Sequence, residues 1–308
     1  MKKIFLCETI DNDAYILLSK HFDIINNINE IKDCHGIIAR NLKIDKDFID
    51  QCLNLEIIAV HGTGYDSIDV EYLKEKNIHL FNTPHLNSLS VAELIVNMMI
   101  TLSRHTYQLD RDLRDKKIST IAPIEYIGNE ISYKTFGIIG TGDIALKTAK
   151  ILKNGFHMNI IAYSRSLTNK KADELHITLC KSIDEVFQKS DFINIGVSLN
   201  KDTYHLITLE QFKLMKPSAY LINTSRGAII NEEDLYYALT NKLLNGYACD
   251  VLENEDLSIK QSLLELDNVF YTPHIGGSTH DCLSRIGHAI FISLVNYFDG
   301  KQISNMIC

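Results

Sequence analysis

Short apolar runs alternate with amphipathic segments along most of the chain. Because apolar residues fill these runs without a regular polar alternation, we interpret them as strands buried on both faces of a parallel sheet. Strands are predicted at residues 3–7, 22–25, 36–39, 56–60, 78–81, 136–139, 158–163, 192–197, 219–223, 246–251 and 269–272. Helices are predicted at residues 13–21, 46–52, 70–74, 90–102, 143–152, 182–188, 208–215, 232–240 and 281–298, with a polar helix or loop at 169–175. This alternation predicts an α/β architecture in which helices cover the sheets.

Polar residues indicate where several helices begin. Side chains that can accept a hydrogen bond from a free backbone N–H group precede three of the helices, at Asp45, Asp69 and Asn231. Ser90 and Glu93 have the spacing of a capping box. The charged run at 104–117 that follows is predicted to be a solvated helix face.

The stretch from Phe136 to Arg165 contains the most informative turn. An apolar strand is followed at once by Gly140 and Gly142, then by an amphipathic segment and a second apolar strand, as in a strand–helix–strand unit. Glycines let the backbone turn tightly and approach a ligand, and the free N–H groups of a helix N-terminus favour a pyrophosphate. Ala145, the third small residue of this G-x-G-x-x-A pattern, still allows the helix to pack closely on the strand. In this context the pattern predicts a dinucleotide-binding site.

Composition and charge narrow the possible functions. The chain has 308 residues, which predicts two domains, and its 45% hydrophobic and 23% charged residues are typical of a globular protein. A net charge of −8 argues against nucleic acid as a partner, because a phosphate backbone binds to a basic surface. No apolar run approaches the ~20 residues that span a bilayer, so no membrane association is expected. The seven scattered cysteines lack the spacing of a metal site and predict reduced thiols in a cytoplasmic protein.

Three residues after predicted strands have the chemistry of a catalytic site. Arg226 offers a planar fork that binds a carboxylate with two hydrogen bonds, and His274 can exchange a proton near neutral pH. A carboxylate beside the histidine favours the imidazolium and fixes its tautomer, and Glu255 is assigned this task, with Glu253 and Asp256 as nearby candidates. Beside a nucleotide site, these groups suit hydride transfer to a 2-oxo acid with proton delivery to its carbonyl oxygen.

Several motifs together resemble those of the D-2-hydroxyacid dehydrogenases, in order and over nearly the whole chain. The motifs are Asn82-Thr83-Pro84, Val91-Ala92-Glu93, Gly140-Thr141-Gly142, Ile222-Asn223-Thr224-Ser225-Arg226-Gly227, Asp250-Val251 with Glu255, and Thr272-Pro273-His274-Ile275-Gly276-Gly277. The closing Gly300-Lys301 resembles the end of the short members without a C-terminal regulatory domain.

The resemblance implies a fold and a division into domains. A Rossmann-type doubly wound parallel sheet, at residues 100–282, would be inserted into a smaller flavodoxin-like α/β substrate domain made of residues 1–99 and 283–308. A homodimer is also implied, although the arm at 118–131 lacks the tryptophan that relatives often have there.

The resemblance also implies roles for individual residues. Arg226 would hold the substrate carboxylate and polarise the carbonyl, His274 would donate the proton, and Glu255 would be its partner. Asp250 would contact the nicotinamide carboxamide. The loop Gly62-Thr63-Gly64 would offer N–H groups to the substrate carboxylate, and Arg40 is a further substrate-binding candidate; the binding residues are thus Arg40, Thr63, Gly64 and Arg226. The expected cofactor contacts are Gly140, Gly142, Asp143, Ile144, Ser164, Arg165, Val197, Ser198, Thr203, Thr224, Ser225, Asp250, His274 and Gly277, and no metal is expected.

The end of the second strand of the dinucleotide-binding unit indicates which cofactor is used. An NAD-preferring site has an acid there that accepts a hydrogen bond from the ribose 2′-hydroxyl. This chain has Ser164-Arg165-Ser166 instead, followed by Lys170 and Lys171. NADP(H) is therefore favoured over NAD(H), because Arg165 can bind a 2′-phosphate through a charge-assisted contact worth ~1.5–3 kcal/mol. The alternative is that Arg165 stacks on adenine in an NAD enzyme.

The predicted activity is the reduction of a small anionic 2-oxo acid, such as glyoxylate or hydroxypyruvate. A phosphoglycerate dehydrogenase-like enzyme is an alternative, for which Arg40 alone gives little support. Formate-oxidising relatives have glutamine at the position of Glu255, so that branch is disfavoured. A nucleotide-sensing corepressor on the same fold is an alternative from another class of protein.

Overall fold

The structure, a computed structural model, describes all residues from Met1 to Cys308. Its strands, in chain order, are β1 Lys3–Leu6, β2 Asp23–Ile25, β3 Gly36–Ala39, β4 Ile57–Val60, β5 His79–Phe81, β6 Thr135–Ile139, β7 Asn159–Tyr163, β8 Thr178–Leu179, β9 Phe192–Ile195, β10 Tyr220–Asn223, β11 Gly246–Cys249 and β12 Val269–Tyr271. Its helices are α1 Asn12–His21, α2 Lys46–Ile49, α3 Val70–Lys76, α4 Ser88–Ser103, α5 Thr106–Arg114, α6 Asp143–Phe156, α7 Asn169–Leu175, α8 Ile183–Lys189, α9 Leu209–Phe212, α10 Glu232–Thr240 and α11 His280–Phe298. None of the helices combines the length and the apolar character needed to cross a bilayer.

The chain forms two compact units. Unit 1 comprises residues 1–90 and 277–308, and unit 2 comprises residues 91–276. The boundaries predicted after residues 99 and 282 lie slightly further along the chain, inside α4 and α11. The apolar side chains of α4 from Val91 onward pack in a core cluster of unit 2. Unit 2 therefore begins at residue 91, earlier in the chain than the predicted residue 100.

Unit 1 contains a five-stranded parallel sheet in the order β2-β1-β3-β4-β5. This is the flavodoxin-like strand order, as predicted, and its order reverses between β1 and β3. Strands β3 and β4 are buried at every position, and separate apolar clusters occupy the two faces of the sheet. Loops at the carboxyl ends of β1 and β3 therefore lie at the point where open sheets of this type bind ligands.

Unit 2 contains a seven-stranded parallel sheet in the order β12-β11-β10-β9-β6-β7-β8. The predicted Rossmann-type fold is confirmed, with the switch point between β6 and β9. Every strand predicted from an apolar run is present, and the structure adds the two-residue β8 at the sheet edge. Because β9, β10 and β11 are buried along their whole length, helices must cover both faces.

Local hydrogen bonds confirm the helix starts predicted at Asp45, Asp69 and Asn231. Each of these side chains accepts a hydrogen bond from the backbone N–H three residues later, at 3.0–3.1 Å. The capping box at Ser90 is wrong, because α4 already begins at Ser88. Ser90 lies within the helix, and its hydroxyl is 2.9 Å from that of Thr279.

The predicted solvated face at 104–117 is also wrong in part. The helix breaks at His105, which has a left-handed backbone, and α5 follows as a separate helix. Asp112 on α5 is buried and accepts hydrogen bonds from Tyr126 at 2.6 Å and Lys117 at 3.0 Å. The hydroxyl of Tyr126 and the ammonium of Lys117 lower the pKa of Asp112 to about 2. The charged run therefore contains one buried carboxylate, and its hydrogen bonds hold the segment 117–126 against α5.

Candidate active site

Two of the residues predicted to be catalytic, Arg226 and His274, and the predicted cofactor contact Asp250 follow neighbouring parallel strands of unit 2. Arg226 follows β10, Asp250 follows β11, and His274 follows β12. Since parallel strands end at the same edge of a sheet, all three lie at the carboxyl edge, where such sheets bind ligands. Glu255 lies in the connection between β11 and β12.

The structure selects one of the three acids near His274 as its partner. Nδ1 of His274 lies 3.0 Å from Oε2 of Glu255, and both side chains remain partly exposed. Glu253 points elsewhere, with each carboxylate oxygen 3.1 Å from Nε2 of His205. Asp256 accepts hydrogen bonds from within its own exposed loop. With Nδ1 donating to Glu255, the Nε2 atom of His274 is left to exchange a proton.

Asp250 holds the loop that carries His274. Its side chain is buried, with Oδ1 accepting hydrogen bonds from the hydroxyl of Thr272 at 2.6 Å and the N–H of Ile275 at 2.8 Å. Oδ2 accepts from the N–H of Gly276 at 2.7 Å. Burial raises the pKa of Asp250, and these donors offset part of that effect. The sequence did not indicate this loop-holding role; the predicted contact of Asp250 with the cofactor stays a prediction.

Tight backbone packing fixes the loop that carries Arg226. Nη1 of Arg226 donates to the carbonyl of Ser225 at 2.8 Å, and the amide of Asn223 donates to the carbonyl of Arg226 at 2.9 Å. A Cβ at Gly227 would lie only 2.0 Å from the carbonyl carbon of Leu252, so no side chain fits there. The loops after β10 and β11 are thus in close backbone contact at Gly227, next to Arg226.

The turn after β6 has the form required for a pyrophosphate. Gly140 has a φ of 88°, which favours glycine, and a Cβ there would lie 2.6 Å from the carbonyl oxygen of Gly196. Gly142 is the N-cap of α6 and brings no side chain to its first turn, which begins with Asp143 and Ile144. The positive end of this helix therefore faces the switch point without a side-chain cap.

The loop after β9 lies beside that turn. Val197 packs against the position of Gly140, and Ser198 follows it. The hydroxyl of Thr203 donates to the carbonyl of Ser198 at 2.7 Å and accepts from the N–H of Asn200 at 2.8 Å. These bonds close the loop on itself, so Thr203 shapes the loop in addition to any contact with a cofactor.

The end of β7 places Ser164 and Arg165 at the same edge of the sheet. The hydroxyls of Ser164 and Ser166 lie 3.3 Å apart. The Arg165 side chain is largely exposed, and its Nη1 lies 3.4 Å from Oδ2 of Asp202, in the loop after β9. The sequence did not indicate this acidic partner.

In unit 1, the loop after β4 has two N–H groups available for a ligand. The N–H of Gly62 lies 2.9 Å from the carbonyl of Val60 and 3.0 Å from the hydroxyl of Thr83, so it is already used within the protein. The N–H groups of Thr63 and Gly64 donate to no protein acceptor. Of the three N–H groups that the sequence offered, two therefore remain.

Arg40 follows β3, and its Nη2 donates to the hydroxyl of Ser278 at 2.6 Å, just after Gly277. Two neighbouring side chains line a small cleft beside it, Glu8 and His61. His61 is 95% buried, and its Nε2 atom has no hydrogen-bond partner. Burial and the nearby Arg40 charge lower the pKa of His61 to about 4. The sequence indicated neither the Ser278 contact nor the burial of His61.

Comparison with known proteins places this geometry in a family. Residues 96–276 match the model of the D-isomer-specific 2-hydroxyacid dehydrogenase NAD-binding domain. A protein of Staphylococcus haemolyticus, named provisionally as a 2-hydroxyacid dehydrogenase, is 34% identical over 98% of both chains. The chain belongs to the D-isomer-specific 2-hydroxyacid dehydrogenase family.

Solved structures agree with this assignment. D-lactate dehydrogenase from Aquifex aeolicus, complexed with NAD and lactic acid, has a TM-score of 0.86 and 26% identity over 99% of both chains. An acyclic imino acid reductase in complex with NADPH and D-arginine has a TM-score of 0.85 and 28% identity over 99% of this chain and all of the other. This 2-hydroxyacid dehydrogenase is thus an oxidoreductase with a domain for a nicotinamide dinucleotide, and its turn at Gly140 and uncapped α6 fit that cofactor.

Proposed function

We propose that this dehydrogenase reduces small 2-oxo acids, such as glyoxylate or hydroxypyruvate, to the corresponding 2-hydroxy acids, with the D configuration where the product is chiral. The observation that carries the proposal is the 3.0 Å contact between Nδ1 of His274 and Oε2 of Glu255, at the same sheet edge as Arg226. Reduction of a 2-oxo acid requires a proton donor and a cation that binds the substrate carboxylate. His274, held by the carboxylate of Glu255, and Arg226 supply these groups at one edge of the sheet.

The proposed roles follow from the chemistry of each group. Arg226 binds the substrate carboxylate with its fork and polarises the neighbouring carbonyl. His274 donates a proton from Nε2 to the carbonyl oxygen, because Nδ1 is engaged by Glu255. The Glu255 carboxylate stabilises the imidazolium before the transfer and fixes the ring orientation. The nicotinamide cofactor, when bound, supplies the hydride for the carbonyl carbon.

In unit 1, Thr63, Gly64 and Arg40 are proposed to bind the substrate. The unused N–H groups of Thr63 and Gly64 suit a carboxylate. The guanidinium of Arg40, steadied by Ser278, adds positive charge near the carboxyl edge of that sheet. These features support binding of an anionic substrate.

NADP(H) is proposed as the preferred cofactor over NAD(H). The hydroxyls of Ser164 and Ser166 and the exposed guanidinium of Arg165 offer donors for a 2′-phosphate, and β7 ends without an acid. The remaining proposed contacts in unit 2 are Gly140, Gly142, Asp143, Ile144, Val197, Ser198, Thr203, Thr224, Ser225, Asp250 and His274. Gly277, in unit 1, is a further proposed contact. Arg165→Ala should reduce kcat/KM for NADPH while sparing NADH, and an equal effect on both would contradict the preference.

A homodimer is proposed from an exposed apolar segment in unit 2. Ile121, Ile124 and Ile127 are 99%, 75% and 71% exposed, which is unusual for three large apolar side chains so close together. A second copy of the chain would cover them. Light scattering on Ile121→Glu/Ile124→Glu should then show a monomer, whereas an unchanged mass would refute this surface. The cytoplasm is the proposed location, consistent with seven unpaired cysteines.

The activity itself is tested by spectrophotometry of NADPH and NADH oxidation with a panel of 2-oxo acids that includes a phosphorylated one. His274→Ala and Arg226→Ala should each lower kcat/KM by about 10²–10⁴-fold, because each acts on charge that develops in the transition state. His280→Ala, which changes an exposed histidine on α11, is the control and should leave the rate unchanged. Near-normal rates in either catalytic variant would refute the assignment. No oxidation with any substrate would instead support the corepressor-like alternative.

A further inference from the structure

The loop after β9 presents one carboxylate to the end of β7. The N–H of Asp202 donates to Oδ1 of Asn200 at 2.9 Å, and the N–H of Asn200 donates to the hydroxyl of Thr203 at 2.8 Å. That hydroxyl donates in turn to the carbonyl of Ser198 at 2.7 Å. The loop thus fixes the backbone of Asp202 by itself, while the Asp202 carboxylate remains 75% exposed. The position of this acid does not depend on its ion pair.

The partner of this carboxylate is the residue proposed to select the cofactor. Oδ2 of Asp202 lies 3.4 Å from Nη1 of Arg165, and both side chains are about three-quarters exposed. In the sheet, β6 separates the strands that precede the two residues, so the pair joins the loops on either side of the turn at Gly140. Exposed pairs of this kind contribute little net free energy, so another anion can displace the carboxylate.

We propose that Asp202 is a second specificity residue of the cofactor site, which competes with the 2′-phosphate of NADP(H) for Arg165. This inference rests on the proposed role of Arg165. A phosphate monoester carries about −1.5 to −2 charges at neutral pH and forms stronger hydrogen bonds with a guanidinium than a carboxylate partner in water does. The Asp202 carboxylate lowers the affinity for this phosphate in two ways, since it occupies the cation and repels the anion.

The same carboxylate has little effect on NAD(H). A ribose 2′-hydroxyl is neutral, so it neither displaces Asp202 from Arg165 nor is repelled by it. Asp202 therefore reduces the preference for NADP(H) without reducing the affinity for NAD(H), and the enzyme is able to use both cofactors. A purely structural ion pair would act differently, because loosening the loop would weaken the binding of both.

The test is direct binding to the full-length enzyme without substrate. Dissociation constants for NADP⁺ and NAD⁺ are measured by calorimetry for the wild type, Asp202→Asn and Asp202→Ala. Both substitutions should tighten NADP⁺ binding by about 2- to 10-fold and leave NAD⁺ within a factor of 2, as expected for one exposed charge removed near a phosphate. The gain should shrink in 0.5 M salt because of screening.

Two controls separate the pair from a general change of charge. Asp202→Glu keeps the charge and should keep the wild-type ratio of the two constants. Glu210→Gln removes another exposed acid, which pairs with Lys213 at the same 3.4 Å, and should also leave the ratio unchanged. A gain with Glu210→Gln equal to that with Asp202→Asn would overturn the proposal.

Arg165 variants distinguish this inference from the proposed cofactor preference. If Arg165→Ala weakens NADP⁺ selectively and Asp202→Asn tightens it more when Arg165 is present than when it is absent, both stand. If Arg165→Ala is selective but Asp202→Asn changes neither constant or both equally, the role of Asp202 is overturned and the preference survives. If Arg165→Ala is not selective, the preference itself fails. A gain with Asp202→Asn that is undiminished in the double variant would show that Asp202 does not compete for Arg165, and would overturn the proposal.

Discussion

Replacing His61 by leucine should remove a large pH dependence of stability from unit 1. His61 is buried, its Nε2 atom has no partner, and the charge of Arg40 is nearby, with Glu8 lining the same cleft. Burial and Arg40 lower the pKa of His61 from 6.5 to about 4 in the folded protein. Between these two values the unfolded chain binds a proton that the folded chain does not. The stability that the folded protein has with His61 neutral is therefore fully present above pH 6.5, and it decreases as the pH falls toward 4.

The size of the effect follows from the two pKa values. At 1.36 kcal/mol for each pKa unit, the difference amounts to about 3 kcal/mol of the free energy of unfolding. At pH 7.5, His61→Leu is expected to match or exceed the wild type, because an unpartnered buried nitrogen costs about 1–3 kcal/mol. Near pH 4 the variant should be more stable than the wild type by about 3 kcal/mol beyond any difference at pH 7.5.

Urea titrations followed by circular dichroism at several pH values between 4 and 7.5 measure this difference. The carboxylates of the protein titrate in both proteins, so only the difference between wild type and variant is informative. Ile16→Leu, which changes an exposed side chain on α1 that does not titrate, is the control, and its difference from the wild type should stay constant. If the difference between wild type and His61→Leu is also constant from pH 6.5 to 4, the argument from burial is refuted.

Two further predictions concern the loops at the sheet edge of unit 2. Asp250→Asn should destabilise the protein by about 1–3 kcal/mol and lower kcat, because the amide cannot accept from all three donors that hold the His274 loop. Asp256→Asn, in an exposed loop, is the control; equal effects of the two substitutions in urea unfolding and in rate measurements would contradict the loop-holding role of Asp250. Gly227→Ala should lower the free energy of unfolding by about 3 kcal/mol or more, since its Cβ would meet backbone atoms of Leu252. A Cβ at Gly155 in α6 meets nothing within 4 Å, so Gly155→Ala should raise the free energy of unfolding by about 0.5–1 kcal/mol. Thermal unfolding of both variants measures this contrast, and a tolerated Gly227→Ala would refute it.

The strands and the dinucleotide-binding turn could be predicted from the sequence because their signals are local. A buried parallel strand such as β4 is apolar at every position, and a tight turn such as that at Gly140 needs a residue without a side chain. The helix caps at Asp45, Asp69 and Asn231 were likewise set within four residues. Strand β8 was missed because two residues at a sheet edge carry no periodic pattern.

Features that depend on distant partners could not be predicted. In the sequence, Asp112 is one of several charged residues in a row, and nothing local indicates that it is buried. Its hydrogen-bond partner Tyr126 lies 14 residues away. Ser90 had the spacing of a cap, but its partner is Thr279, at the other end of the chain. Asp202 is 37 residues from Arg165, and no local pattern joins them. In each case the tertiary fold, and not the local propensity, determines the environment of the side chain.

The choice among Glu253, Glu255 and Asp256 shows how the fold settles what composition leaves open. All three acids lie in the connection that follows Asp250, so the sequence alone gave each access to His274. The backbone of Glu253 packs against Gly227 in the Arg226 loop, and its carboxylate lies 3.1 Å from His205, while Asp250 holds the loop after β12. Glu255 then meets His274 because both flanking segments are held at the end of β11. One buried aspartate, whose backbone carbonyl also accepts from the N–H of His274 at 2.9 Å, and one tightly packed glycine therefore help to determine which acid pairs with His274.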